Sequence, residues 1–200
     1  MLIGLTGKYC AGKNYIAALL ERRGLAVLDV DKLGHIAIEC KKEAIIARFG
    51  EDILNRDGTV NRRLLGAKVF GKADELATLQ DIVHPEANRL TIEWIAAQKC
   101  AHCVINAAVL HKSAVFDQLD CIILVSAPWF IRLLRAKRRD KLPWISLIKR
   151  FSSQKQFPSQ YSSGNADIYK VENSGIGRSR SLECRIDTIL SVLGLKNGTT

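Results

Sequence analysis

Residues 2–14 read Leu2-Ile3-Gly4-Leu5-Thr6-Gly7-Lys8-Tyr9-Cys10-Ala11-Gly12-Lys13-Asn14. A short apolar run leads into Gly7. From Gly12 onward, Ile16, Leu19 and Leu20 recur at helical spacing, and Gly24 stops the pattern. The order is strand, glycine-bounded loop, helix, and the loop nearly fits G-x-x-x-x-G-K-S/T, the phosphate-binding pattern of that setting. Gly7 and Gly12 let backbone amides come close to an anion, and the helix start adds partial positive charge. Lys13 is placed to reach the β- and γ-phosphates of a nucleotide. Gly7, Lys8, Tyr9, Cys10, Ala11, Gly12, Lys13, Asn14 and Tyr15 are therefore candidate nucleotide-contacting positions. The pattern's final Ser or Thr offers a hydroxyl to Mg²⁺. Here the residue is Asn14, whose amide oxygen can ligate or water-bridge a hard cation.

Leu25 to Asp31 reads as a second buried strand ending in Asp29 and Asp31, which share a face at strand period. Beside a phosphate loop such a carboxylate can accept a proton from an attacking hydroxyl, or hold Mg²⁺ through water. The plainer alternative is a solvated strand end, or an N-cap from Asp31. A helical pattern follows over 32–49, Asp57-Gly58 marks a turn, and 61–98 reads as helix interrupted at His84-Pro85. Cys103 to Leu110, Cys121 to Ser126 and Ala166 to Glu172 are further strands. A basic helix opens at Pro128, and a last helix spans 180–193, leaving 196–200 as a tail. Strands alternating with helices predict an α/β fold with about five mostly parallel strands and helices on both faces. Ligands in such sheets bind beyond the carboxyl ends of the strands, where Gly7, Asp29, Asp31 and Asn106 fall. Residues 152–164 are polar and turn-rich and are expected to form a mobile loop.

The chain has 200 residues, 48% hydrophobic and 25% charged, which fits one folded domain, 1–200, and excludes disordered or low-complexity chains. No apolar run approaches the ~20 residues of a membrane span, and the N-terminus has no secretory pattern, so no membrane partner and a cytoplasmic location are expected. A net charge of +10 points to anionic partners. A basic nucleic-acid-binding module is one such reading, but no aromatic-interleaved RNA motif or zinc finger supports it. Cys100 and Cys103 resemble half a zinc site with no second pair to complete it, so no structural metal is expected.

In the helix after Pro128, Trp129, Phe130, Leu133 and Leu134 make an apolar face, while Arg132, Arg135 and Arg139 share another. Guanidinium groups suit phosphate oxygens, so this stripe reads as an anion-contacting face beside the phosphate loop. His35, His102 and His111 show no partner in the sequence, and Trp94 and Trp144 read as packing or pocket walls.

Taken in order, these segments resemble the dephospho-CoA kinase family. The phosphate loop and Val27-Leu28-Asp29-Val30-Asp31 open the likeness. Phe49-Gly50 and Asp57-Gly58-Thr59-Val60-Asn61-Arg62-Arg63-Leu64 continue it. Val83-His84-Pro85, Leu124 to Pro128 with Arg135 and Arg139-Asp140, and then Arg150, Gln154 and Asn173 extend it to about residue 175. The resemblance implies a P-loop, nucleoside-monophosphate-kinase-like fold with a helical acceptor-binding region at about 32–100 and a basic lid at 129–165 that excludes water from the transferring phosphoryl group. It implies ATP and Mg²⁺, and transfer of a phosphoryl group to the 3′-hydroxyl of dephospho-CoA. Asp31 is then the expected general base, Lys13, Arg135 and Arg139 the charge-stabilising groups, and Asn173 a nucleotide contact. Asp29, Arg63, His84 and Asn106 become acceptor-side candidates, with Asn14 and Asp29 (through water) as metal candidates. The sequence departs from the family at Asn14 and at 106–112, where D-x-P-L-L-F/Y-E has become Asn106-Ala107-Ala108-Val109-Leu110-His111-Lys112. A nucleoside or nucleotide kinase of the same fold, or a degenerate nucleotide-binding relative, is the alternative.

Overall fold

The apolar run at the N-terminus forms β1 (Leu2–Gly7), with Ile3 and Leu5 fully buried. Burial on both faces is what a continuous apolar strand requires. β1 pairs in parallel with β3 (Cys103–Asn106) and β4 (Cys121–Ser126), and β4 pairs in parallel with β5 (Asp167–Glu172). With β2 (Ala26–Asp29) at the far edge, the five strands run in the order β2-β3-β1-β4-β5. The computed structural model describes residues 1–98, 102–152, 161, 166–175 and 180–195. The chain divides into two compact units, 29–97 and the remainder.

In the sheet unit, α1 (Lys13–Glu21) turns Ile16, Ala17, Leu19 and Leu20 into a core shared with Val104, Ile123 and Val125. Gly24, at φ 83°, ends the helix in a Schellman pattern: Gly24 N–H donates to Glu21 O and Leu25 N–H to Leu20 O. α8 (Arg180–Val192) adds Leu182, Ile186, Ile189 and Leu190 to the same core. α6 (Trp129–Asp140) and α7 (Trp144–Ser152) build a smaller cluster from Ala136, Leu147 and Phe151, against which Tyr9 and Cys10 pack.

The second unit is helical. It contains α2 (Val30–Cys40), α3 (Lys42–Phe49), α4 (Arg62–Val69) and α5 (Ala73–Ala97) around Ala37, Ile45, Phe49, Ile53, Val60, Leu65 and Val83. The Asp57-Gly58 turn is present: Asp57 Oδ1 accepts from Thr59 N–H at 3.0 Å, and Leu54 and Val60 bridge across it.

Several boundaries differ from expectation. The second strand stops at Asp29, because that carboxylate caps α2, so Asp31 sits in a first helical turn and not on a strand face. The 32–49 helix breaks at Lys41. The 61–98 helix breaks at 70–72, where Gly71 has φ 79°, and runs unbroken through Pro85. Pro85 lies on the exposed side, where the carbonyl it leaves without a donor can meet water. The third strand ends at Asn106 and turns at once. Gln154, Cys100 and the 196–200 tail lie outside the described residues, as does most of the 152–164 loop. Tyr161, within that loop, is fully buried.

Candidate active site

The loop after β1 closes on itself through Ala11 N–H to Lys8 O at 2.9 Å, and Gly12 O then accepts from Tyr15 and Ile16 to start α1. Gly12 has φ 99°, and a Cβ there would lie 2.2 Å from Asn173 Nδ2. Gly7 is equally constrained, since its Cβ would meet the Val125 carbonyl at 2.7 Å. Cys10 adopts a left-handed φ of 58°, rare outside glycine and Asn and typical of functional loops. Lys13 and Asn14 open α1, Asn14 exposed, and Tyr15 packs against the main core with its buried hydroxyl unpartnered.

Three arginines of α6 meet this loop. Arg132 Nη1 donates to Tyr9 O at 3.4 Å, with its guanidinium 4.8 Å over the Phe151 ring. Arg135 donates to Ala11 O at 3.2 Å, Asn173 Oδ1 at 3.2 Å and Gly175 O at 2.6 Å. Arg139 lies 5.1 Å over the Tyr9 ring and donates to Asp140 Oδ1 at 2.7 Å. The Tyr9 hydroxyl donates to Asp140 and accepts from Arg150 at 3.4 Å. Asn173 completes the frame, donating to Ala11 O at 2.9 Å. Burial pushes the Cys10 thiol up, against the opposing pull of Arg139, Arg132, Arg135 and Arg150. Burial likewise pulls Arg132 and Arg135 down.

The apolar face expected on α6 is not what the helix buries. Trp129, Phe130 and Leu134 are about half exposed, whereas Ile131, Arg132 and Ala136 are buried. Arg132 can be buried because its charge meets a carbonyl and an aromatic face. Trp144 is also exposed, beneath Lys137 Nζ at 5.2 Å from its ring.

At the end of β3, Asn106 is buried and its Nδ2 donates to Asn14 Oδ1 at 3.5 Å. Its own Oδ1 is buried without a partner. Tyr161, invisible as a site residue in the sequence, places its hydroxyl 3.4 Å from Thr6 Oγ1 and 3.4 Å from His111 Nδ1. His111 thus has a partner 50 residues away, which no local pattern announces. Burial lowers its pKa, with Lys112 adding to the effect.

The remaining candidates belong to the helical unit. Asp29 Oδ1 accepts from Asp31 N–H at 3.1 Å and Lys32 N–H at 3.4 Å, so Asp29, and not Asp31, is the N-cap. Asp31 lies exposed in the first turn of α2. His84 is half-buried within α5. Arg63 lines an open cavity of about 780 Å³ with Arg62, His35, Glu39, Asn55 and Asn61.

A glycine-framed loop backed by arginines sits at the carboxyl end of β1 in a 2-3-1-4-5 parallel sheet, where such sheets bind ligands, and comparison with known proteins narrows what it serves. The sequence profile of the dephospho-CoA kinase family matches residues 1–176. The chain belongs to the dephospho-CoA kinase family. A dephospho-CoA kinase of Treponema pallidum is 32% identical, the match covering 97% of this chain and 96% of that one. One from Halalkalibacterium halodurans is 33% identical over 88% and 89% of the two chains. A Thermus thermophilus crystal structure superposes with a TM-score of 0.79 at 29% identity, covering 97% of this chain and 96% of that one. Dephospho-CoA kinase from Campylobacter jejuni shares the fold with a TM-score of 0.62 at 18% identity, covering 98% of both chains.

For this family member the donor chemistry at the end of β3 fits a hard cation only through neutral oxygens. Asn14 Oδ1 and the unpartnered Asn106 Oδ1 are the oxygen donors there. Among the described residues, no three His, Cys, Asp or Glu side chains come together as a metal site. Among the same residues, no helix is long and apolar enough to cross a membrane.

Proposed function

We propose that this chain transfers the γ-phosphoryl group of ATP to the 3′-hydroxyl of dephospho-CoA, yielding coenzyme A. The observation that carries the reading is the cradle itself. Gly12 is held left-handed against Asn173, and Arg135 ties Ala11, Asn173 and Gly175 together in a chain of this family.

The loop amides of residues 8–13, apart from the Ala11 N–H that bonds Lys8 O, surround the phosphates, and Lys13 neutralises the charge that builds between the β- and γ-phosphates. Arg135 and Asn173 together occupy the Ala11 carbonyl and so hold the shape of the loop. Arg139, stacked on Tyr9 and paired with Asp140, supplies a guanidinium to the transferring group. Asp31 accepts the proton of the 3′-hydroxyl, and Asp29 holds the backbone that carries it. Mg²⁺, when bound, would supply positive charge that offsets the charge on the phosphates. Asn14 and Asn106 would hold it through amide oxygens. Arg62 and Arg63, on the wall of the helical unit's cavity, suit the diphosphate of the acceptor, and His84 lies on the same unit. α6 and α7 form the lid portion of 129–165.

Incubating the protein with ATP, Mg²⁺ and dephospho-CoA should yield coenzyme A, detected by mass. Phosphorylation of nucleoside monophosphates in place of dephospho-CoA would overturn the assignment.

A further inference from the structure

Two of the positions at which the sequence leaves the family pattern, Asn14 and Asn106, are the two ends of one hydrogen bond, 3.5 Å long. One lies on α1 and the other at the end of β3, 92 residues away. Asn106 is 2% exposed and its Oδ1 has no partner. The pattern's hydroxyl and carboxylate have become two amides joined by that one bond, and the pair carries no charge. A carboxylate at this place would repel a bare triphosphate and attract one already joined to a divalent cation. Two amides do neither. The loop's arginines remain, with Arg132, Arg135, Arg139 and Arg150 all acting on Cys10.

Resting on the reading of this loop as an ATP cradle, we propose that the Asn14–Asn106 pair makes nucleotide binding largely independent of the divalent ion. The protein grips the triphosphate through its amides and cations. The ion enters as part of the metal–nucleotide complex and is not held by a protein charge. Ion handling is thereby shifted from the protein to the nucleotide, and a carboxylate at either end of the pair should restore a metal-dependent grip.

The test is calorimetric binding of the β,γ-imido analogue of ATP to the full chain, with magnesium chloride or with EDTA. The wild-type dissociation constants should differ by less than about threefold between the two conditions. Asn14→Asp, at an exposed position where a carboxylate stays ionised, should widen that ratio beyond about tenfold by weakening the EDTA arm. Asn106→Asp should act in the same direction, and Asn14→Asp alone decides the question if the buried carboxylate unfolds the protein. A wild-type ratio above threefold, or an Asn14→Asp ratio that does not rise, overturns the inference and leaves the kinase reading standing. Absence of binding in both wild-type arms overturns the two together.

Discussion

The Arg135 guanidinium donates to Asn173 Oδ1 at 3.2 Å while Asn173 Nδ2 donates to the Ala11 carbonyl that Arg135 also reaches. Helix α6, the end of β5 and the phosphate loop are thus joined in one three-cornered network. The Asn173 amide also fills the space that a side chain on Gly12 would need. Arg135→Ala should remove three hydrogen bonds and cost about 2 kcal/mol, lowering Tm by roughly 4–8 °C and raising the KM for ATP. Arg135→Lys, which keeps the charge and loses the fork, should recover little of the KM. Full recovery would show that charge alone matters there.

Gly12→Ala should be more damaging than its size suggests. The φ of 99° is unfavourable for a side chain, at about 1–3 kcal/mol, and the added methyl would meet Asn173 Nδ2. Thermal unfolding and ATP binding should both suffer. An unchanged Tm would mean that the loop has room to relax.

Lys13→Ala should cut kcat by at least about a thousandfold with the far-UV circular dichroism unaltered, because it removes charge stabilisation from the transition state. Normal turnover would remove Lys13 from the mechanism.

Asp31→Asn should lower kcat by about 10²–10⁴-fold while leaving ATP affinity within about twofold, as expected for a base that acts on the acceptor. The converse pattern, weak ATP binding with kcat retained, would assign Asp31 to the nucleotide instead. Asp29→Ala should primarily destabilise α2, by about 1 kcal/mol, because it removes the cap of two N–H groups.

A pH test bears on the α1–α8 contact. The Arg23 guanidinium hydrogen-bonded to Asp187 holds that carboxyl below its ordinary value of 3.8. The folded state therefore binds its proton less readily than the unfolded state. The stabilisation is complete above the unfolded pKa and is lost as pH falls through the lowered folded value. Asp187→Asn should cost up to ~1 kcal/mol at neutral pH, and the difference from wild type should vanish only in strong acid. A gap that stays constant down to pH 2 would point to packing instead of charge.

The phosphate loop, the first and fourth strands and the basic helix were legible because each is written in local spacing: Gly7 to Gly12, Cys121 to Ser126, Arg132 to Arg139. Even the Asp57-Gly58 turn shows in a dipeptide. The end of the second strand is not written in the sequence, because Asp29 has two local options, continuing the strand or capping a helix. The cap wins by satisfying two amides that start α2. Proline at 85 suggested a break, but burial of Val83, Glu86 and Ala87 on one side holds α5 together through it.

Residue spacing alone settles that a glycine-bounded loop follows β1 and that strands alternate with helices, since both follow from backbone geometry within a few turns of chain. Long-range packing settles what those local patterns leave open. It buries Arg132 in place of Phe130, joins His111 to Tyr161, and brings Asn14 to Asn106. Each of those outcomes depends on partners tens of residues away, and a hydrogen bond or a ring face at that separation leaves no periodicity in the chain to read.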